Sequence, residues 1–387
     1  MKNTFSKSRD HVFGKKIIPF FLFLSLLLAY LLPYTCTAKA QTDPQASESS
    51  SRYVDSMNTL ITLTAYGSRR EEALDAAEKE IIRLNELLST GISDSEISRL
   101  NEKGKGIVTS DTMTIIEKSL ELYESTGHLF DITIYPLMQL WGFATADTPL
   151  LAITETEDLE SFLAQGDEHH YHVPDPEELS EALSKIGSDR LVLDAKASEV
   201  TLGEGQTIDL GGIAKGYASS RIMQLFRDMG VSSATVSLGG NVHCLNVKPD
   251  GSMYKIAVRS PFDHLNDYAA ILEIANEAVI TSGGYERFFV DEASGKTYQH
   301  IMDPRTGYPA ESDLASVSII TNDGMLGDGL STSLYIMGEK EAVNYWRRRA
   351  KDFEMLLITQ DGELLITEGL ADRIVYPVTF TILERED

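Results

Sequence analysis

Apolar residues recur at spacings of three and four between Leu74 and Leu88, where Leu74, Ala77, Ile81, Leu84 and Leu88 share one face and acids and lysine occupy the other. That period predicts an amphipathic helix. A β-rich run at 59–64 precedes it and reads as a strand. Ser110 and Asp111 read as the cap of a second helix, with Ile115, Leu120 and Tyr123 on its apolar side. From residue 191 onward β-patterned segments dominate, at 191–194, 198–202, 206–210, 233–238, 254–259, 269–274, 286–290 and 315–320. Helices intervene at about 213–229, 328–336 and 339–348. Strands gathered around two or three helices, without regular strand–helix alternation, predict an α+β fold of mixed sheets and packed helices.

The N-terminus has a different pattern. Lys2, Lys7, Arg9, Lys15 and Lys16 form a basic leader, residues 17–32 are nearly all apolar, and Ala38-Lys39-Ala40 offers a small-x-small cleavage pattern. These features predict a secretory signal peptide over residues 1–40 and export from the cytoplasm. The apolar run has 16 residues, fewer than the roughly 20 of a comfortable membrane span, so membrane attachment through an uncleaved leader, or through a lipid on Cys36, is the lesser alternative. Residues 41–52 are polar and aperiodic and read as a linker, leaving 53–387 as the folded domain. Removing the leader also removes Cys36, so Cys244 would stand alone and read as a small buried apolar residue.

Charge narrows the partners. The chain carries 34 Lys/Arg against 59 Asp/Glu, a net charge of −25; without the leader 28 and 58 remain, net −30. A surface this acidic repels nucleic acid phosphates and anionic lipid. An anionic ligand would need local positive charge from a metal ion, helix N-termini or a few lysines and arginines. His169, His170 and His172 lie in an acidic stretch, 144–178, that is read as irregular apart from a short helix near 159–163; no metal site is assigned there.

Five segments carry candidate chemistry. In 207–216, a strand holding Asp209 runs through Gly211-Gly212 into a helix with Lys215. This suits close approach of an anion to free helix N–H groups, and equally a plain strand-to-helix turn. Ser237-Leu238-Gly239-Gly240-Asn241 and Thr281-Ser282-Gly283-Gly284-Tyr285-Glu286-Arg287 are small-residue runs that read as turns or as places for close ligand approach. The run from His300 to Gly307 puts His300, Asp303 and Arg305 within six residues, a proton carrier and two charges in one turn. In Asp328-Gly329-Leu330-Ser331-Thr332, Asp328 and Thr332 fall one helical turn apart and offer hard oxygens suited to Mg²⁺ or Ca²⁺. The competing reading makes Asp328 a helix N-terminal acid.

In this order the segments resemble the ApbE family, the FAD:protein FMN transferases. The likeness runs from about residue 57 to 338. It includes Leu88-Ser89, the run 94–101, Phe130-Asp131, Pro136-Leu137, Trp141-Gly142-Phe143, 209–217, 237–241, Thr281-Ser282-Gly283, 300–309, Asp328 and Thr332. The resemblance implies a two-lobed α+β fold with FAD in a cleft between the lobes. It implies Mg²⁺-dependent transfer of FMN from FAD to a Thr or Ser hydroxyl of a target protein, with release of AMP. It further implies action outside the cytoplasm on flavoprotein subunits of electron-transfer complexes. Carried over residue by residue, it puts Met57, Leu129, Phe130, Asp131, Asp209, Lys215 and Met302 at the FAD site. The Gly212 carbonyl, Asp328 and Thr332, with Ser331 as a further candidate, fall at the metal. His300 would deprotonate or orient the attacking hydroxyl, and Arg305 would serve as a phosphate or turn partner. The same residues would also suit a metal-dependent FAD pyrophosphatase or a non-catalytic exported FAD-binding protein. The chain departs from the family pattern at Asn58 and His128, where Gly is usual, at Gly91, often Tyr, and at Gly284, commonly Asp.

Overall fold

In the computed structural model, residues 47–144, 171–262, 268–349 and 351–385 are described. They belong to one compact unit spanning Asp43–Asp387. The predicted leader, residues 41–46 of the linker, and 145–170 of the acidic stretch with His169 and His170 lie outside the described residues.

Strands are numbered along the chain. The main sheet has nine, in the spatial order β1 (Ser49–Ser56), β2 (Thr59–Tyr66), β6 (Ala234–Leu238), β7 (Asn241–Leu245), β10 (Ala278–Gly283), β13 (Leu314–Thr321), β14 (Glu354–Thr359), β15 (Leu364–Thr367) and β16 (Thr381–Leu383). Every pairing is antiparallel except β15 with β16. Three small sheets flank it: β3 (Lys105–Ile107), β5 (Glu199–Thr201) and β4 (Val192–Asp194); β8 (Tyr254–Arg259) with β9 (Tyr268–Ile274); and β11 (Phe288–Val290) with β12 (Thr297–Gln299). The α+β expectation is met.

Both faces of the main sheet are covered, and the strands alternate between two cores. Val317 and Ile319 of β13, with Leu357 of β14, pack among the helices in the larger core. Ile320, Leu356 and Ile358 face a second core with Tyr254, Val258, Ala270 and Leu272 of the β8–β9 hairpin. Cys244, in β7, is buried in this second core as expected; burial pushes its thiol up to about 12.

The helices are α1 (Arg70–Leu88), α2 (Glu96–Lys103), α3 (Ser110–Ser125), α4 (Tyr135–Leu140), α5 (Pro176–Ser184), α6 (Ala214–Asp228), α7 (Gly324–Met337) and α8 (Glu339–Arg348). In α1 the predicted stripe is buried, with Leu74, Ala77, Ile81 and Leu84 fully enclosed. Helix α3 is capped by Thr109 rather than by Ser110 or Asp111; Asp111 instead accepts a hydrogen bond from Tyr217 and pairs with Arg83. Residues 176–178, expected to be irregular, open α5 through a capping box between Asp175 and Glu178.

Three expectations fail for identifiable reasons. Residues 49–52, read as linker, form the start of β1, an edge strand that is mostly polar and solvated. Segment 206–210 is no strand: the Asn101 side chain accepts from the Ile208 N–H at 2.7 Å and donates to its carbonyl at 2.9 Å, and the Asp209 N–H goes to the Ile132 carbonyl at 2.8 Å. The helix holding Asp328 begins four residues early, at Gly324, where the Asp323 carboxylate accepts from the Met325 and Leu326 N–H groups. Asp328 is therefore not a helix-starting acid.

Candidate functional site

The β1–β2 hairpin turns in two residues, Met57 and Asn58, both at positive φ (54° and 57°). Such a turn matches the strands' twist, and Asn tolerates the conformation almost as Gly does, which accounts for Asn58 in place of a glycine. His128 likewise adopts φ 71° and stacks on Tyr123 with ring centroids 4.2 Å apart. The Asn85 side chain accepts from the Met57 N–H at 3.1 Å and fixes the hairpin tip over a cavity of about 360 Å³.

Helices α6 and α7 touch backbone to backbone beneath this cavity. A Cβ at Gly216 would lie 2.1 Å from the Gly324 carbonyl oxygen, and one at Gly324 would lie 2.3 Å from that of Gly216. Only glycines permit the approach. It brings Asp328 Oδ2 within 2.8 Å of the Gly216 N, so this helix-start N–H is taken by Asp328 and not left for an anionic ligand. Asp328 Oδ1 accepts from Asn241 Nδ2 at 3.2 Å, and Asn241 is fixed in turn by the Thr281 N–H on its Oδ1 at 3.2 Å. Burial pushes the Asp328 carboxyl up against the opposing charge of Lys215 and these amides.

The cavity wall gathers Met57, Leu129, Phe130, Asp131, Asp209, Gly212, Lys215, His300, Met302, Asp328 and Thr332. Two predicted residues are not on it. Ser331 is fully buried, gives its hydrogen to the Asp328 carbonyl at 2.9 Å and contacts Ser282 Oγ at 2.8 Å, so it is not placed as a ligand. Arg305 forks onto buried Asp303, Nε to Oδ1 at 2.9 Å and Nη2 to Oδ2 at 2.7 Å, and its side chain is 59% exposed. It is a turn partner. Asp131 lines the cavity, yet its oxygens accept from Thr133 and Ser188, and these bonds hold the 131–134 backbone.

His300 follows β12. Its Nδ1 donates to the Arg287 carbonyl at 3.2 Å, because a carbonyl can only accept; Nε2 then keeps its lone pair. Burial, with the Arg287 and Lys215 charges, lowers the imidazole to about 3, so it is neutral at pH 7. Trp141 Nε1 donates to the Gly307 carbonyl at 2.9 Å, and Phe143 packs edge-on to His300, so the Trp141-Gly142-Phe143 segment anchors the 300–308 turn. Glu286 and Arg287, which sequence reasoning left without a role, also line the cavity, and burial raises Glu286 to about 7. The run of small residues before them was the only signal.

Charge on the wall comes from Asp131, Asp209, Glu286 and Asp328 against Lys215 and Arg287. Two phosphates placed here would meet an excess of carboxylates. Among the described residues no cluster of three or more His, Cys, Asp or Glu forms. One buried carboxylate with neutral oxygens fits Mg²⁺, which completes its shell with water and phosphate oxygens.

Residues 57–357 match the ApbE family. The FAD:protein FMN transferase of Haemophilus influenzae is 26% identical over 78% of this chain and 82% of its own length; that of Treponema pallidum is 28% identical over 85% and 90%. Among solved structures, the ApbE protein of Thermotoga maritima superposes with a TM-score of 0.72 at 28% identity, covering 83% of this chain and 98% of its own. The flavin transferase ApbE of Vibrio cholerae shares the fold with a TM-score of 0.69 at 24% identity, covering 84% and 99%. With the family match spanning most of the chain and the fold shared with solved ApbE structures, this chain belongs to the ApbE family.

Proposed function

We propose that this enzyme transfers FMN from FAD to a Ser or Thr hydroxyl of a flavoprotein subunit, outside the cytoplasm and with Mg²⁺. The observation that carries the reading is the convergence of Asp328, Thr332, Lys215 and His300 on one cavity beneath the Met57 hairpin. The acceptor oxygen bonds to the FMN-side phosphorus. The bond from that phosphorus to the bridging oxygen breaks, and AMP leaves with that oxygen and its electron pair. The hydroxyl proton passes to His300 Nε2, while Nδ1–H stays on the Arg287 carbonyl. Lys215 and Arg287 oppose the phosphate charge; that charge in turn offsets the two cations that depress His300, raising its basicity as substrate binds. Gly212, Asp328 and Thr332 would hold the Mg²⁺, which when bound supplies positive charge to the phosphate oxygens. In-line transfer of this kind depends on positioning and charge rather than covalent help.

The test is incubation with FAD, Mg²⁺ and a flavoprotein subunit of an electron-transfer complex. Flavin fluorescence that stays with the denatured acceptor, together with AMP, is expected. Free FMN and AMP with an unlabelled acceptor would mean hydrolysis, and no AMP would overturn the reading. Export rests on the basic leader and apolar run, and is checked by finding the mature chain in the extracytoplasmic fraction.

A further inference from the structure

Around Thr332 the hydroxyl hydrogens have only one consistent arrangement. A Ser or Thr hydroxyl has a single hydrogen to give. Ser331 gives its own to the Asp328 carbonyl at 2.9 Å, since the carbonyl cannot donate. Toward Ser282 Oγ, 2.8 Å away, Ser331 must therefore accept, and Ser282 donates. Having spent its hydrogen, Ser282 must accept from Thr332 Oγ1 at 3.2 Å. The Thr332 hydrogen is thereby committed to Ser282, which also lines the cavity, and the Thr332 lone pairs are left for a ligand. The chain of bonds starts on the backbone of Asp328 and ends on the side chain one turn later. The carboxylate is treated in the same way: the Thr281 N–H occupies Asn241 Oδ1, so the Asn241 amide hydrogens are the ones that face Asp328.

We infer that Ser282 and Ser331 are positioning residues that set the polarity of Thr332, holding its hydrogen back so that its oxygen presents lone pairs to a divalent cation. A cation is repelled by a hydroxyl hydrogen and held by the lone pairs, so a Thr332 free to rotate is a poorer ligand. Ser331 is thus assigned a place behind the metal position rather than at it, and Ser282 a role that its small-residue run did not disclose. The inference rests on the proposed metal site.

The test is Mn²⁺ binding to the full chain with FAD present, read from the paramagnetic resonance of free Mn²⁺. S282A removes the acceptor for the Thr332 hydrogen and is expected to weaken Mn²⁺ about tenfold, the usual scale for partners behind a ligand. S282T keeps the oxygen and is expected to bind within about twofold of the parent chain. T332A should also weaken binding, and adding S282A to it should cost nothing further, because the serine acts only through the threonine. An equal S282A loss in the T332A background, or failure of S282T to restore binding, overturns the relay. If S282A does not fold, S331A, which frees the Ser282 hydrogen, is expected to weaken Mn²⁺ several-fold; unchanged binding there overturns it. Mn²⁺ affinity unaffected by D328A would instead remove the metal site itself.

Discussion

The wall that carries Asp328 and Thr332 is built from the centre of the molecule, whereas the wall that carries His300 hangs on the β11–β12 hairpin outside the nine-stranded sheet. On the first side, α6 and α7 meet through glycine backbones, and the Asp328 carboxylate and the Ser331 hydroxyl are held by hydrogen bonds to their neighbours. On the second, Trp141, Phe143, Phe289 and Tyr298 form a separate aromatic cluster with Met302, and the 300–308 turn is pinned by single bonds such as Trp141 to Gly307. The difference teaches which changes report on chemistry alone. A substitution behind Asp328 disturbs cation binding and folding together, but one at His300 can alter proton transfer while the main core stays as it is.

The largest expected effect breaks the core-built wall at its charge. Asp328→Ala should lower Mg²⁺-dependent AMP release by about a hundredfold or more, as loss of a central electrostatic group does. The Gly216 N–H and the Asn241 amide lose their acceptor in the same step. Thermal melting should therefore fall too, by the equivalent of about 1–3 kcal/mol per buried group left unpaired, with the fold retained. Release of AMP at the parental rate would remove Asp328 from the site.

On the hairpin side, His300→Ala should slow FMN transfer about 10²–10⁴-fold, the range for a lost general base. FAD affinity, measured by flavin fluorescence, should change only a few-fold, and melting hardly at all. Equal losses in transfer and binding would make His300 a binding residue and erase the contrast between the walls.

A purely steric change tests the same contrast. Gly216→Ala forces a Cβ against the Gly324 carbonyl, and should destabilise the chain by about 1–3 kcal/mol or more in thermal or urea unfolding. A stability equal to that of the parent chain would show that α6 and α7 can slide apart without cost.

Acid probes the buried histidines. His243, in β7, hydrogen-bonds Ser219 Oγ at 3.1 Å and is lowered to about 4 by burial, with the Arg227 charge adding to it. The unfolded chain binds the proton near 6.5, so stability is full above that value and is lost as pH falls from about 6.5 toward 4. His243 alone should account for on the order of 2–3 kcal/mol of the loss, and His300, lowered to about 3, adds to it in the same window; both are read from unfolding midpoints between pH 7 and pH 4. A flat profile would mean that His243 and His300 are protonated as readily in the fold as outside it.

Legibility in the sequence follows the same division. Helices α1, α3, α6 and α8 were readable because each buries one stripe against a core. Strand β13 was readable as a run buried on both faces. Strand β10 was not: its cavity end is Thr281-Ser282-Gly283, where hydroxyls do the work that apolar side chains do elsewhere, so no hydrophobic alternation marks it. Segment 206–210 misled in the opposite sense, since Ile208 and Leu210 are buried as in a strand while an asparagine side chain takes the place of a neighbouring strand. For the site, the family resemblance carried by these segments in order pointed to Asp328, Thr332, Lys215 and His300, which all line one cavity. The hydrogen-bond directions that make Thr332 an acceptor involve Ser282, 50 residues away in the chain, and no local pattern carries them.

The smallest expected effect concerns Arg305, which sequence reasoning gave as a phosphate or turn partner beside His300. Its guanidinium is committed to Asp303 and lies off the cavity wall, with most of its surface in water. A pair whose guanidinium lies largely in water contributes about 0–1 kcal/mol, and its bonds stiffen a turn already held by the Trp141 indole and by the Asp303 N–H on the Tyr308 carbonyl. Arg305→Ala should therefore cost transfer less than about tenfold and melting a degree or two, well short of His300→Ala. A loss matching that of His300→Ala, with melting unchanged, would show that Arg305 leaves Asp303 and reaches the phosphates once FAD is bound, which would make the hairpin-side wall the more mobile of the two.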